Sequence, residues 1–387
     1  MGLILSRMMN IVSPLSGSMP QAREATEELQ KKTESPATQS QPLPADDKKL
    51  GIALAGLGKY AEEQLMPALH ETEYCRLAGV VSGNADKRRY WCDRYNVKPS
   101  SAYDYRDFDS IADNNDIDIV YIVLPNALHA EYVIRAAQAG KHVICEKPMA
   151  TNVADCQRMI DACRNAGVRL SIGYRLHFDP FNQEVMRLGQ SHALGSIERI
   201  VANNGLAIAE KEQWRLDRGL AGGGPLMDVG IYCVQAAIYC IGELPYAVTA
   251  RFHEKTDPYK FADVEEGISW EMYFSAGVKA HCSCTYIREE DLLRVEAVSG
   301  WLELAPAFAY SGLKGRTSQG TIMVSPLNQH AAQMDDFALC VRNNLESRVP
   351  GEMGMRDVEI LEAIYRSAET GVRVPLELAA FQQLPEL

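Results

Sequence analysis

A short apolar run, Leu50 to Ala55, leads straight into Gly56-Leu57-Gly58-Lys59-Tyr60-Ala61 and then into a helical pattern through Leu65 and Leu69. No other feature restricts the fold as strongly. The spacing G-x-G-x-x-A, placed between a strand and a helix, lets glycine close a tight turn and bring backbone against a ligand. The helix N-terminus adds amide hydrogens and a partial positive charge, so the segment predicts a cradle for the pyrophosphate of a dinucleotide.

Further apolar runs follow at "RLAGVVS", "IDIVYIVLP", "HVICEKP" and "RLSIGYR", separated by helical stretches such as "HAEYVIRAAQAG" and "VADCQRMIDACRNAG". Strands apolar throughout, alternating with helices, imply a parallel sheet covered on both faces. We therefore expect an α/β fold with a Rossmann domain over residues 50–172. From about Gly173 the strand-like segments become longer and mixed in polarity ("IERIVANNGLAI", "YAVTARFHEK", "GISWEMYFSA", "VKAHCSCTYI", "LLRVEAVSGWLELA"). They lie close enough in sequence for antiparallel pairing. With helices at "GPLMDVGIYCVQAAIYCIG", "HAAQMDDFALCVRNN" and "GMRDVEILEAIYRSAETG" they predict an α+β second domain over 173–387, built on a large, mostly antiparallel, open-faced sheet. Residues 1–49, rich in Gln, Ser, Thr and Pro, read as a flexible arm with one short helical pattern at Ala22 to Lys32.

A formal charge of -12 over 387 residues disfavours nucleic acid, which needs a basic face, and points to a small ligand. Two domains suit this length. The ten cysteines are scattered through apolar segments without C-x-x-C pairs or zinc spacing, so we expect neither a disulfide framework nor a metal site. Cys282 and Cys284 alternate along a strand and share a face, where packing is the leading role and ligand contact the second. No apolar run reaches the roughly 18 to 20 residues of a membrane span. Arg7 and Ser6 interrupt the apolar start, so a cytoplasmic location is expected, with the periplasm as the alternative.

The end of the second strand distinguishes cofactors, because an Asp or Glu there would hold a ribose 2′-hydroxyl. This chain has Ser82, followed by Lys87, Arg88 and Arg89, a set that suits the 2′-phosphate of NADP. Two further strand ends carry polar residues. Pro125, Asn126 and His129 follow one; Asn126 can cap a helix or touch cofactor, and His129 can be structural or act as acid and base. Glu146 and Lys147 end the next, where charge is rare unless paired. In "EQWRLDRGLAGGGPLMDVGIYCVQ", Asp228 and Tyr232 are spaced i, i+4 and share one helical face. A phenol titrates near 10, and a neighbouring ammonium favours its phenolate. Lys147 with Tyr232 is thus a candidate base pair.

The motifs G-L-G-K-Y-A, S-G-N-A-D-K, L-P-N-A-L-H-A-E, C-E-K-P-M-A-T, I-G-Y-R-L-H-F-D-P and W-R-L-D-R-G-L-A-G-G-G-P-L-M-D-V-G-I-Y together resemble the Gfo/Idh/MocA oxidoreductases. Many relatives carry D-x-x-x-H on the last helix, whereas Asp228 and Tyr232 align this chain with the glucose-fructose branch. The resemblance implies tightly held NADP, a sugar substrate and a homo-oligomer, dimer or tetramer, with the open sheet used for sugar binding and subunit contacts. It implies catalytic Lys147, Asp228 and Tyr232. It adds Lys59, Tyr60 and Arg175 to a cofactor set of Gly56, Gly58, Ala61, Ser82, Lys87, Pro125, Asn126, His129, Glu146 and Lys147. It places Tyr174, Arg175, Asp228, Tyr232 and Trp214 at the substrate, with His177 and Asp179 shaping the pocket and Trp214 and Arg215 as sugar wall or packing. The implied reaction is oxidation of an aldose at C1 to an aldonolactone, with the cofactor recycled by a second sugar such as fructose. The alternatives are an NADP-dependent xylose or glucose 1-dehydrogenase with exchangeable cofactor, and a non-catalytic sensor or scaffold. The branch is exported on a twin-arginine signal and carries a proline-rich arm that wraps a neighbouring subunit; this chain has a Pro-containing arm with no Arg-Arg pair in it.

Overall fold

In the computed structural model, residues 49–209 and 213–378 are described. The expected arm and its helical pattern lie outside them. Six strands, β1 (Leu50–Ala55), β2 (Cys75–Val81), β3 (Ala102–Tyr103), β4 (Ile119–Ile122), β5 (His142–Cys145) and β6 (Leu170–Ile172), form a sheet in the order β3-β2-β1-β4-β5-β6. Every pair in it is parallel. The order reverses beside β1, which puts the ligand crevice at the carboxyl ends of β1 and β4.

Alternation along the strands sends side chains to two different cores. Ile52, Leu54, Ile119 and Tyr121 pack with Leu65, Trp91 and Phe337, while Ala53, Ala55, Val120 and Ile122 pack with Val133 and Met159. Neither face meets water, which is why these strands read as unbroken apolar runs. Two-residue β3 is too short to leave such a pattern.

The second sheet contains β7 (Ile197–Gly205), β8 (Ala247–Phe252), β9 (Gly267–Tyr273), β10 (Lys279–Thr285), β11 (Glu290–Ala297), β12 (Gly300–Leu304), β13 (Gly315–Thr317), β14 (Gly320–Ile322) and β15 (Val374–Pro375). Their order is β14-β13-β12-β11-β7-β10-β9-β8-β15. Pairing is antiparallel except between β7 and β10, which run parallel because the helix Ile231–Ile241 and two strands intervene between them. The segment expected as one long strand, "LLRVEAVSGWLELA", is a hairpin of β11 and β12. One face of the sheet packs on the helix: Ala202, Trp270, Met272, Ala280 and Leu293 share a core with Cys233 and Val234. Cys282 and Cys284 lie in that core, so packing is their role, and all ten cysteines are free and buried. The helical stretch Arg218–Ile241 has the length and mean hydropathy of a membrane span, but 89% of its apolar window is buried inside the protein.

The chain does not stay in the second half after residue 173. The helix Gln329–Asn343 returns to the first sheet, where Met334, Phe337 and Ala338 join the core of Ile52 and Leu54. The helix Gly351–Thr370 touches both halves. A Cβ at Gly354 would lie 2.9 Å from Met149 and 3.0 Å from Ile172, while Ser367 accepts the Ala250 amide of β8.

Candidate active site

The turn after β1 shows why two glycines stand there. Gly56 has φ +109°, and a Cβ on it would sit 2.2 Å from the Val123 carbonyl oxygen. Gly58 is exposed, with nothing within 4 Å of its Cβ position, so backbone is presented to an open surface. The helix then starts with a π turn, Ala61–Leu65, before Met66–Glu71. Lys59 is exposed beside Glu63 at 3.8 Å. Tyr60 turns inward, its hydroxyl 3.2 Å from Glu146 Oε1 and 2.8 Å from His330 Nε2.

At the tip of β2, Ser82 is buried and its Oγ accepts the Asn84 amide at 3.3 Å. Arg88 donates to the Ser82 carbonyl and to Asp104 Oδ2 at 3.1 Å. Asp104, which sequence spacing did not mark, is a carboxylate beside this tip, and hydrogen bonds from Arg106 hold its pKa down to about 2. Arg89 is exposed and paired with Asp86, which leaves Lys87 as the exposed ammonium of the three cations with no ion pair among the described residues.

Glu146 and Lys147 do not pair with each other through their side chains. The Glu146 carboxylate accepts the hydroxyls of Tyr121 at 2.8 Å and Tyr60 at 3.2 Å, and burial raises its pKa. Lys147 crosses to the second half, where Nζ donates to the Asp228 carbonyl at 2.5 Å and to Asp228 Oδ1 at 3.2 Å. Burial alone would lower the lysine's pKa, but Tyr232 and Asp228 outweigh it and hold the ammonium above its ordinary value.

The helix that carries these partners begins at a crowded glycine run. Gly222 has φ +80°, a Cβ at Gly223 would lie 2.0 Å from the Tyr365 hydroxyl, and one at Gly224 2.5 Å from the Glu265 carbonyl oxygen. Glu265 accepts the amides of Gly224 at 2.9 Å and Leu226 at 3.1 Å, so a buried carboxylate caps the helix N-terminus. A π turn, Leu226–Gly230, precedes the helix Ile231–Ile241. Its wider winding keeps Asp228 and Tyr232 on one side, as their i, i+4 spacing predicts. Asp228 Oδ2 accepts Arg215 Nε at 2.8 Å and the Tyr286 hydroxyl at 3.1 Å. Burial would raise the Asp228 pKa, yet Arg215 and Lys147 force it well below the carboxylate range. The Tyr232 ring has Lys147 Nζ 4.8 Å and Arg175 Cζ 5.1 Å from its centroid, and Phe308 stacks on it at 6.2 Å.

The arrangement is a phenol flanked by two cations at the carboxyl edge of a dinucleotide-type sheet. Residues 50–174 match the oxidoreductase family, NAD-binding Rossmann fold, Gfo/Idh/MocA; residues 182–299 and 321–376 match the C-terminal domains of the same family. The crystal structure of aldose-aldose oxidoreductase from Caulobacter crescentus complexed with glycerol is 43% identical. It superposes with a TM-score of 0.82 over 85% of this chain and 100% of that one. The chain is a Gfo/Idh/MocA oxidoreductase. The chain is also similar to D-xylose 1-dehydrogenase [NADP(+)] of Haloarcula marismortui, 29% identical over 86% of this chain and 95% of that protein. D-glucoside 3-dehydrogenase of Escherichia coli is 26% identical over 84% and 97%.

Within this Gfo/Idh/MocA chain, several expected roles change. His129 is wholly buried, with Nδ1 3.0 Å from the Pro148 carbonyl and Nε2 2.8 Å from the Leu124 carbonyl, so it ties two strand-end loops together. Asn126 caps no helix with its side chain; its Nδ2 donates to the Ala221 carbonyl at 2.8 Å across to the second half. Pro125 precedes its 3₁₀ turn. Tyr174 is buried, and its hydroxyl, raised in pKa by burial and by Asp357, faces a polar group behind the site without a hydrogen-bond partner among the described residues. That group includes His177, whose Nε2 meets Gln235 Oε1 at 2.5 Å, and Asp357 itself. Asp179 accepts Gln329 Nε2 at 3.1 Å and so acts at one remove. Trp214 is half-buried with Arg215 Cζ 4.6 Å over its ring. The phenol oxygen of Tyr232, expected to bond Lys147, does not, since the lysine donates to Asp228 instead.

Sequence reasoning missed Tyr286, Tyr310, Gln329 and His330. Tyr310 is 46% exposed and stacks on Arg175, its ring centroid 4.4 Å from Cζ. Only "NQHAAQ", an Asn cap followed by polar residues at the start of a helix, signalled the last two.

Proposed function

We propose that the protein is an NADP-dependent sugar oxidoreductase that oxidises an aldose at C1 to the aldonolactone and, with its cofactor retained, reduces a second sugar. The meeting of Lys147, Asp228 and Tyr232 one residue from Glu146, which Tyr60 of the glycine turn touches, carries this reading. The chain's residues suit NADP. The turn at Gly58 is open, the carboxylate nearest the tip of β2 is already held by Arg88 and Arg106, and Lys87 is exposed to meet a phosphate.

When bound, NADP supplies the nicotinamide that accepts hydride from one sugar carbon and delivers it to another. The protein handles the proton. Tyr232 accepts the proton of the C1 hydroxyl as its phenolate during oxidation, and as the phenol so formed returns one during reduction. Asp228, kept ionised by Arg215 and Lys147, locks the lysine beside the phenol. Trp214 and Tyr310 offer half-open aromatic faces to a pyranose ring.

The likeness to an aldose-aldose oxidoreductase supports an aldose, rather than fructose, as hydride acceptor. A second reading, an NADP-dependent aldose 1-dehydrogenase with exchangeable cofactor, draws on the likeness to D-xylose 1-dehydrogenase. We place subunit contacts on the outward face of the second sheet, where Arg251, Glu271 and His281 line a shallow groove. To test the function, the protein is purified without added nucleotide, its absorbance is read for retained NADP(H), and it is mixed with one aldose, two aldoses, or an aldose and fructose. Retained cofactor with alditol and lactone formed together supports the proposal. Product that scales with added NADP supports the dehydrogenase, and absence of product in every mixture refutes both.

A further inference from the structure

We infer that His330 is a positioning residue for the cofactor turn: through the Tyr60 hydroxyl it holds the segment Gly56 to Ala61 in its binding shape and so slows the release of NADP. The inference deepens the reading of a retained cofactor and names a residue that retains it.

The turn is held without a cap. Tyr60 stands at the N-cap of the helix that follows, yet no side chain caps the first amides, which leaves them for an anionic ligand. A side-chain cap would compete with a phosphate for those donors. Gly58 and Lys59 are exposed, so the side chains that can fix the turn are Leu57, buried in the core of Ile52 and Leu54, and Tyr60. Glycine-containing backbone is costly to order when a ligand binds, and a contact that orders it beforehand tightens binding.

The Tyr60 hydroxyl has two partners and one proton. His330 Nε2 lies 2.8 Å from it and Glu146 Oε1 3.2 Å, and the same Oε1 accepts Tyr121 at 2.8 Å. Both Tyr60 contacts are hydrogen bonds when Nε2 carries the imidazole proton and donates to the phenol oxygen, whose own proton goes to Glu146. His330 suits that part because it is buried and stays neutral: burial and the charge of Arg175 lower its pKa to about 3. Its ring also packs edge-on against Tyr60 at 5.6 Å, and Tyr310 closes the group, 5.9 Å from Tyr60 and 5.8 Å from His330.

His330 is itself fixed by the helix Gln329–Asn343. Asn328 Oδ1 accepts the amides of His330 at 3.2 Å and Ala331 at 3.3 Å, while its Nδ2 donates at 3.0 Å to Glu71 Oε1, at the far end of the helix that the turn opens. Asp335 accepts the amides of Glu73 and Tyr74, both at 2.8 Å. Met334 and Phe337 bury the helix against Ile52 and Leu54. The helix is therefore clamped to the first sheet at points beyond the turn, and His330 carries that rigidity to Tyr60.

The test is the rate at which the loaded protein releases NADPH, followed by cofactor fluorescence in a chase with excess NADP. His330→Phe keeps a ring and removes the hydrogen bond, and is expected to release NADPH about 10-fold faster. Tyr60→Phe does the same, and the double variant is within about threefold of either one, because both remove one bond. His330→Gln, whose amide can donate to the phenol, returns to within about threefold of the parent. Asp335→Ala loosens the same helix away from the turn and also stays within about threefold of the parent. Parent-like release from His330→Phe, effects that multiply in the double variant, or release from Asp335→Ala as fast as from His330→Phe overturns the inference. Should His330→Phe not fold, Tyr60→Phe decides: faster release supports the assignment and unchanged release overturns it. A parent protein that turns over no sugar refutes the proposed function, while faster release from His330→Phe in that same protein still supports the inference.

Discussion

Two carboxylates flank Lys147, and their surroundings push them in opposite directions. Glu146, its neighbour in sequence, faces the hydroxyls of Tyr60 and Tyr121 in the first core, and burial raises its pKa. Asp228, across the crevice, sits between Lys147 and Arg215, and the two cations depress its pKa in spite of burial. Both groups are short of water, so desolvation does not separate them; the charge of the partners does. The Asp228 side is therefore built to keep ions, and the Glu146 side to keep a hydrogen-bonded lattice under the glycine turn.

If the Asp228 side is where protons move, the phenol beside it carries turnover. Tyr232→Phe is expected to lower sugar oxidation by about 10²- to 10⁴-fold in initial-rate assays while cofactor retention is unchanged. Comparable rates for this variant and the parent would erase the functional half of the contrast.

Asp228→Asn strands Lys147 and Arg215 beside each other without a counter-charge. At neutral pH it is expected to destabilise the fold by about 2 to 4 kcal/mol in urea titration. The sign with pH follows from the depressed pKa. The stability due to the carboxylate is complete above its unfolded value near 3.9 and is lost as pH falls through the lower folded value. The gap between parent and variant should thus be flat above about pH 5 and narrow below about pH 4. A gap that widens with acid would contradict the ionic reading of Asp228.

Glu146→Gln sharpens the same contrast with the smallest effect. A raised carboxyl pKa means that its contribution is complete below the unfolded value near 4.3 and is lost as pH rises through the folded value. Glutamine copies the neutral acid, so the variant should gain about 1 kcal/mol on the parent as pH climbs from about 4 to neutrality. Denaturant titrations in which Glu146→Gln and Asp228→Asn respond to pH with the same sign would dissolve the distinction.

How much was legible depends on the distance over which each signal acts. The β1 turn and its helix could be read because strand, glycines and helix are contiguous, and Asp228 with Tyr232 because one helix face holds both. Tyr60 and His330 lie 270 residues apart and leave no local pattern. Arg175 and Gln329, 154 apart, are equally silent. The position of His129 after a strand end says nothing of the two carbonyls that enclose it. The helix Gln329–Asn343 was assigned to the second half by chain order, whereas apolar contact with β1 and β4 places it on the first.

By itself the amino-acid sequence determined the parallel sheet, the cofactor turn and the family of oxidoreductases, since apolar period, glycine spacing and motif are properties of neighbours along the chain. Only the tertiary structure decided that Lys147 answers to Asp228, that Arg175 is held by the carbonyls of Phe308 and Ala309 and by Gln329, and that His129 is a tie. Whether a charge is matched is settled by which side chains the fold brings within a few ångströms, and no spacing along a chain encodes that distance.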